Sequence, residues 1–195
     1  MQIYKEKEHR GYTCKVYYDP DPIAPSDWET FGTLYSCHRR YDPCGHNMSE
    51  LLESDDDGGF SVDDNYIYVF VYYYEHSGIT IHSSRCQQSC GWDSGLFGLY
   101  AVTKQRATNW FGDINDPDKY EDVLKDLENE VKEWDAYFRG DVFGYEISKD
   151  GEFVDSCGSF YDGPEYTMKA AIEVADYYAD KVEKCEMICE PFWID

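Results

Sequence analysis

The sequence predicts an α+β fold, a largely antiparallel sheet of about five to seven strands with two long helices packed on one face. Three observations carry this reading. Short β-branched and aromatic runs fill the first half of the chain, two long segments of helical period stand in the second, and an Asp-Gly turn marks a hairpin between them. With 195 residues, 42% of them hydrophobic and including 19 Tyr, 10 Phe and 5 Trp, the chain has the means to bury a core. It fits a single domain over 1–195.

The elements follow in order. Residues 11–18 alternate and read as a strand, and Asp19-Pro20-Asp21-Pro22 with Pro25 is an extended loop. Ser26 or Asp27 caps a short turn before a second strand at about 31–38. Residues 48–53 read as a short helix, ended by the acidic, Gly-rich stretch that begins at Ser54. The run 66–74 is continuous in β-branched and aromatic residues, which suits a central strand covered on both faces. Strands at 78–82 and 95–103 flank a loop at 85–94. The helix 118–139 places Tyr120, Leu124, Leu127, Val131, Trp134 and Phe138 on one stripe, with Asp116 or Asp118 as cap, Pro117 at its start and Gly140 as its stop. Residues 141–148 and 152–159 form the hairpin, with Asp150-Gly151 at its tip favouring positive φ. Pro164 opens a last helix over about 165–186, with Met168, Ala171, Ile172, Ala175, Ala179, Val182 and Cys185 inward.

Charge narrows the class of partner. Against 17 Lys and Arg stand 40 Asp and Glu, a net −23. Such a chain has no basic face to neutralise phosphates, so direct nucleic-acid binding and anionic membranes are excluded as partners. No apolar window is long enough to span a bilayer. The eight cysteines come with no secretion signal and read as mostly reduced, hence a cytoplasmic expectation. The negative charge is blocked rather than spread: residues 41–84 carry nine acids and no Lys or Arg, and residues 107–195 carry 24 acids against eight bases.

Several short motifs carry a resemblance. These are Tyr74-Glu75-His76-Ser77-Gly78-Ile79-Thr80, Cys90-Gly91-Trp92-Asp93-Ser94-Gly95, Gly140-Asp141-Val142-Phe143-Gly144-Tyr145 and Asp155-Ser156-Cys157-Gly158-Ser159-Phe160-Tyr161. With 33–41, which ends His38-Arg39-Arg40-Tyr41, they resemble an uncharacterised family of small acidic proteins encoded by bacteriophages and mobile elements. The likeness runs over about residues 28–161. The C-terminal helix and the Cys44/Cys86 pair lie outside its pattern. It implies a genomic setting, and no catalytic residues.

Within that setting the acidic blocks point to a binding protein. The outer face of helix 118–139 displays Glu121, Asp122, Asp126, Glu128, Glu130 and Glu133, relieved by Lys119, Lys125 and Lys132. Carboxylates three or four residues apart on a helix lie about 5–6 Å from one another, close to the spacing of phosphates along a strand. The loop 54–65 adds Asp55, Asp56, Asp57, Asp63 and Asp64. The expected function is inhibition of a host nucleic-acid-handling or defence protein, of anti-CRISPR or anti-restriction type, with these side chains occupying its basic groove. A salt-adapted surface is the rival account, and eight Cys with so many aromatics argue against it.

Other chemistry stays open beside this. No metal or other cofactor is assigned, although Cys37, His38, Cys44 and His46 offer four ligand types in ten residues, spaced unlike a zinc motif. No catalytic residue is assigned either, and the alternative is an enzyme or a small-molecule or nucleotide-binding protein using His38, His76, Asp93 and Cys157. The basic island of Arg39, Arg40, Arg85, Lys104 and Arg106 either pairs internally or binds a small anion.

Overall fold

A computed structural model describes residues 2–54, 59–83 and 93–188, with side chains in the last helix as far as Val182. The chain divides into two compact units, Met1–Pro22 with Gly140–Asp195, and Ile23–Arg139. The α+β class and the antiparallel pairing hold. In place of one sheet under two long helices, the described residues form ten strands in three sheets, with three helices.

The first unit joins both ends of the chain. Strands β1 (Ile3–His9) and β2 (Tyr12–Tyr18) form a hairpin turned by Arg10 and Gly11, both at positive φ. Strands β9 (Phe143–Lys149) and β10 (Glu152–Phe160) form the hairpin expected from Asp150-Gly151, whose φ values are 52° and 85°. Positive φ at both central residues matches the twist of a two-residue hairpin loop. β2 pairs with β9, giving the order β1-β2-β9-β10. Alternation then puts Tyr12, Cys14 and Val16 with Phe143, Tyr145 and Ile147 on one face, where they meet Met168, Ala171, Ala175 and Ala179 of helix α3 (Pro164–Ile188). Alanines at this spacing let the helix backbone approach the sheet closely. Of the inward set expected for this helix, Ile172 is only partly buried and Val182 is exposed, while the side chain of Cys185 lies outside the described ones. Strand β1, unforeseen because Lys and Glu alternate along it, is exposed over nearly its whole length as an edge strand.

The second unit is built on a sheet in the order β3 (Thr33–Ser36), β8 (Ser94–Thr103), β6 (Tyr66–Glu75), β7 (Ile79–His82). Helices α1 (Lys104–Phe111) and α2 (Pro117–Arg139) belong to the same unit, and α2 covers one face. Odd residues of β6, Ile67 and Val71, face Val123, Leu127, Val131 and Trp134. The register shift opposite Val71 and Tyr72 leaves Phe97 as an extra residue in β8, and it turns into the same core. Gly98 beside it admits no side chain, since a Cβ would collide with the carbonyl of Tyr35. The other face is covered in part by Leu51, at the end of the 3-10 turn Met48–Leu51, and by the hairpin of β4 (Leu52–Ser54) and β5 (Phe60–Val62). The short helix expected at 48–53 is thus a 3-10 turn running into a strand.

The stripe of α2 needs one correction. Val123 lies inward and Tyr120 is 42% exposed. A seam of Val123, Leu127, Val131 and Trp134 follows the 3.6-residue period, and Tyr120 lies off it at the start of the helix. There Tyr120 and Leu124 line a cleft of about 500 Å³ beside Tyr66–Phe70. Asp116 is the cap, its carboxylate accepting the N–H of Asp118 at 3.0 Å, and Gly140 follows the last turn at φ 70°.

Candidate functional site

The acidic set divides by position. Asp55, Asp56 and Asp57 lie outside the described residues. Asp63 is a turn residue, its carboxylate accepting both the backbone N–H and the side-chain amide of Asn65 at 2.8 and 2.9 Å, while Asp64 is exposed. On α2, Glu121 and Glu128 are exposed and Asp122 and Asp126 partly so. Lys125 and Lys119 stand 3.9 Å from Glu121 and Asp122, loose pairs that leave the face anionic. Burial first, then the neighbouring charge of Asp122, raises the pKa of Asp126. Glu133 is partly buried and engaged.

Glu130 overturns its assignment to that outer face. Its two carboxylate oxygens accept the backbone N–H groups of Phe31 and Gly32 at 2.6 and 2.7 Å. It sits three residues after Leu127 and four before Trp134, on the flank of the buried seam. Burial raises its pKa, and the two N–H donors only partly offset this. Asp135 does similar work one turn on, accepting the N–H of Ile81 at 2.9 Å and pairing with Arg139 at 3.3 Å. These two carboxylates fasten the helix to the sheet edge and the preceding loop.

A polar pocket of about 600 Å³ lies where the loop after β3 meets the ends of β6 and β8. His38 organises it. Its side chain is only 5% exposed, stacked on Phe97 and edge-on to Tyr73 with a centroid distance of 4.5 Å. The Nδ1 atom accepts the backbone N–H groups of Arg40 and Tyr41, both at 3.3 Å. The ring's Nε2 faces Glu75 at 3.8 Å, and Arg40 pairs with the same carboxylate at 2.7 Å. Burial lowers the His38 pKa more than Glu75 restores it, so the ring is neutral near pH 7. Cys37 lines the pocket, its thiol 3.5 Å from the carbonyl of Leu96, and burial raises its pKa. A thiol in that state is a poor nucleophile.

Of the alternative catalytic residues, His38 is the one that lines this pocket. His76 lies in the exposed turn after β6, with Ser77 Oγ 3.4 Å from its Nδ1. Asp93 offers its backbone carbonyl to the N–H of Glu75 at 2.7 Å. Cys157 is an exposed residue of β10, in the other unit. The alternative metal ligands are divided too. Cys37 and His38 line the pocket, Cys44 has a thiol pushed by burial to about 11, and His46 stands 3.3 Å from Glu50. No group of three or more His, Cys, Asp or Glu among the described residues is placed to hold a metal ion.

Sequence reading missed Glu75 as the partner of His38 and Arg40. A carboxylate closing an apolar strand was the available signal, but its partners lie 35 or more residues away in the chain. Of the basic island, Arg40 pairs internally, Arg106 meets Glu29 at 3.6 Å and the carbonyl of Thr30 at 2.6 Å, and Arg85 lies outside the described residues. No helix among the described residues is long and apolar enough to cross a membrane. Compared with protein-family models, curated proteins and solved structures, the chain matches none, so its function has to be read from its own side chains.

Proposed function

We propose that this protein is an acidic binding module that engages the basic groove of a nucleic-acid-handling protein and thereby inhibits it. The observation that carries the reading is the outer face of α2 with the loop before it. Asp113, Asp116, Asp118, Glu121 and Glu128 are exposed there, with Asp122 and Asp126 beside them. From Asp118 to Glu128 the face runs about 15 Å at the helical rise. Burial first, and then the charge of Asp122 one turn away, raises the pKa of Asp126. Like charges at that spacing disfavour a helix, so a partner that neutralises them is a physical reason for their presence. On the phage-like reading of the sequence motifs, the partner is a host defence protein such as a restriction or CRISPR effector. The field of these carboxylates would speed encounter, and exposed rings such as Tyr120 would supply apolar contact.

Affinity capture from a bacterial lysate at two ionic strengths tests this. The expected result is a nucleic-acid-binding protein that duplex DNA or RNA displaces. It is lost at high salt and in the Asp122→Asn, Asp126→Asn, Glu128→Gln variant. Capture unchanged by both the salt and the variant would remove the reading.

A further inference from the structure

The pocket around His38 runs against the charge of the chain. In a protein of net −23, two guanidinium groups and one carboxylate rim a cavity of about 600 Å³. Arg40 neutralises Glu75 at 2.7 Å. Arg39 is exposed at the rim and, among the described residues, has neither an ion pair nor a hydrogen bond. His38 supplies a second donor. Because Nδ1 accepts two backbone N–H groups, the proton of the neutral ring sits on Nε2. Glu75 at 3.8 Å is too far to accept it as a hydrogen bond. The ring of Tyr73 and the side chain of Leu96 stand beside these donors as the apolar part of the wall.

We infer that this pocket binds a small phosphate monoester, its oxyanion held by Arg39 and by the Nε2–H of His38, and its organic part lying against Tyr73 and Leu96. A guanidinium fork matches the oxygens of a phosphate in pairs, and a dianion gains more from it than a carboxylate does. Arg40, held by Glu75, frames the site and keeps that carboxylate from repelling the ligand. The cavity falls within the range of about 300–1,000 Å³ that small-molecule sites occupy. Its loop is already ordered. Ser36 Oγ donates to the carbonyl of Tyr41 at 2.7 Å and accepts the N–H of His38 at 3.0 Å, so binding need not pay to fix the backbone. The site stands apart from the acidic face of α2, and neither reading requires the other.

Calorimetric titration and NMR of the full chain with phenyl phosphate, inorganic phosphate and benzoate test the inference. Phenyl phosphate is expected to bind saturably, more tightly than inorganic phosphate, and to displace the Nε2–H resonance of His38. Arg39→Gln, at an exposed position, is expected to keep the thermal midpoint and to weaken phenyl phosphate about tenfold, with Arg39→Lys between the two. The role of His38 is read from its resonance in the unsubstituted protein, because the ring is part of the packing. No saturable binding at millimolar concentration, an unchanged affinity in Arg39→Gln, or benzoate bound as tightly as phenyl phosphate overturns it.

Discussion

Glu130 illustrates how little a residue's type says about its direction. A carboxylate on a charged helix reads as solvated, yet here both oxygens accept backbone N–H groups of the loop at Phe31 and Gly32. Its phase on the helix, on the flank of the Leu127–Trp134 seam, was in the sequence. The unpaired N–H groups waiting for it were not, because they come from about a hundred residues upstream. Two consequences follow for stability. Glu130→Ala orphans two donors in a partly buried loop and is expected to cost about 1–3 kcal/mol for each, measured by chemical denaturation. Burial also raises the carboxyl pKa above its usual 4.5, so the folded state holds this proton more tightly than the unfolded chain does. Glu130's contribution is then fully present below about pH 4.5 and is lost as pH rises through the folded value. Glu130→Gln cannot titrate. Relative to it, the unsubstituted protein should lose stability as pH rises across that window, in urea midpoints taken from pH 4 upward. A parallel pair of curves would contradict this.

Elements were legible where their signal was local. The Asp150-Gly151 hairpin and the Asp116 cap rest on residues a few positions apart, and both are as the turn and cap chemistry require. Strand β1 has no apolar face to read, and it forms because β2 offers its edge, pairing Lys5 with Val16 and His9 with Tyr12. The three-residue strands β4 and β5 are shorter than any periodic pattern. For the candidate sites, the acidic face of α2 was legible by spacing, whereas the pocket joins a loop to two strand ends and needed the sheet to be assembled. Asp126 is raised first by burial and then by Asp122. Asp122→Asn removes the second cause alone. It is therefore expected to lower the Asp126 pKa without returning it to the unperturbed value, as read from carboxyl carbon shifts. It should also stabilise the helix by a few tenths of a kcal/mol. An unmoved Asp126 would mean that the two carboxylates do not sense each other, and the like-charge argument for a partner would lose its footing.

The whole molecule is organised by pairings that no local pattern encodes. Val16 pairs with Tyr145, and Asp19 donates its N–H to the carbonyl of Val142 at 2.9 Å, so segments about 120 residues apart in the chain meet in one sheet. Each unit owns a core. Ile23–Arg139 buries Leu34, Phe97, Leu127 and Trp134 among others, and the outer segments bury Cys14, Val16, Ile147 and Ala171. Composition along 1–195 does not display this division, because the apolar content is continuous along the sequence while the contacts are not. Autonomy is the testable consequence. Residues 23–139 expressed alone retain every strand pairing of their sheet, and are expected to give dispersed amide resonances and a cooperative thermal transition. The outer unit needs its two segments joined. Since Asp19 and Val142 are already hydrogen-bonded, about six Gly or Ser residues, each reaching up to ~3.4 Å, suffice to connect Pro22 to Gly140 even if the five intervening residues are extended. That chain should fold with β2 beside β9, giving amide exchange protection at Val16 and Tyr145. If 23–139 shows a collapsed amide spectrum and no cooperative transition, its core is insufficient by itself and the division describes contacts rather than folding units.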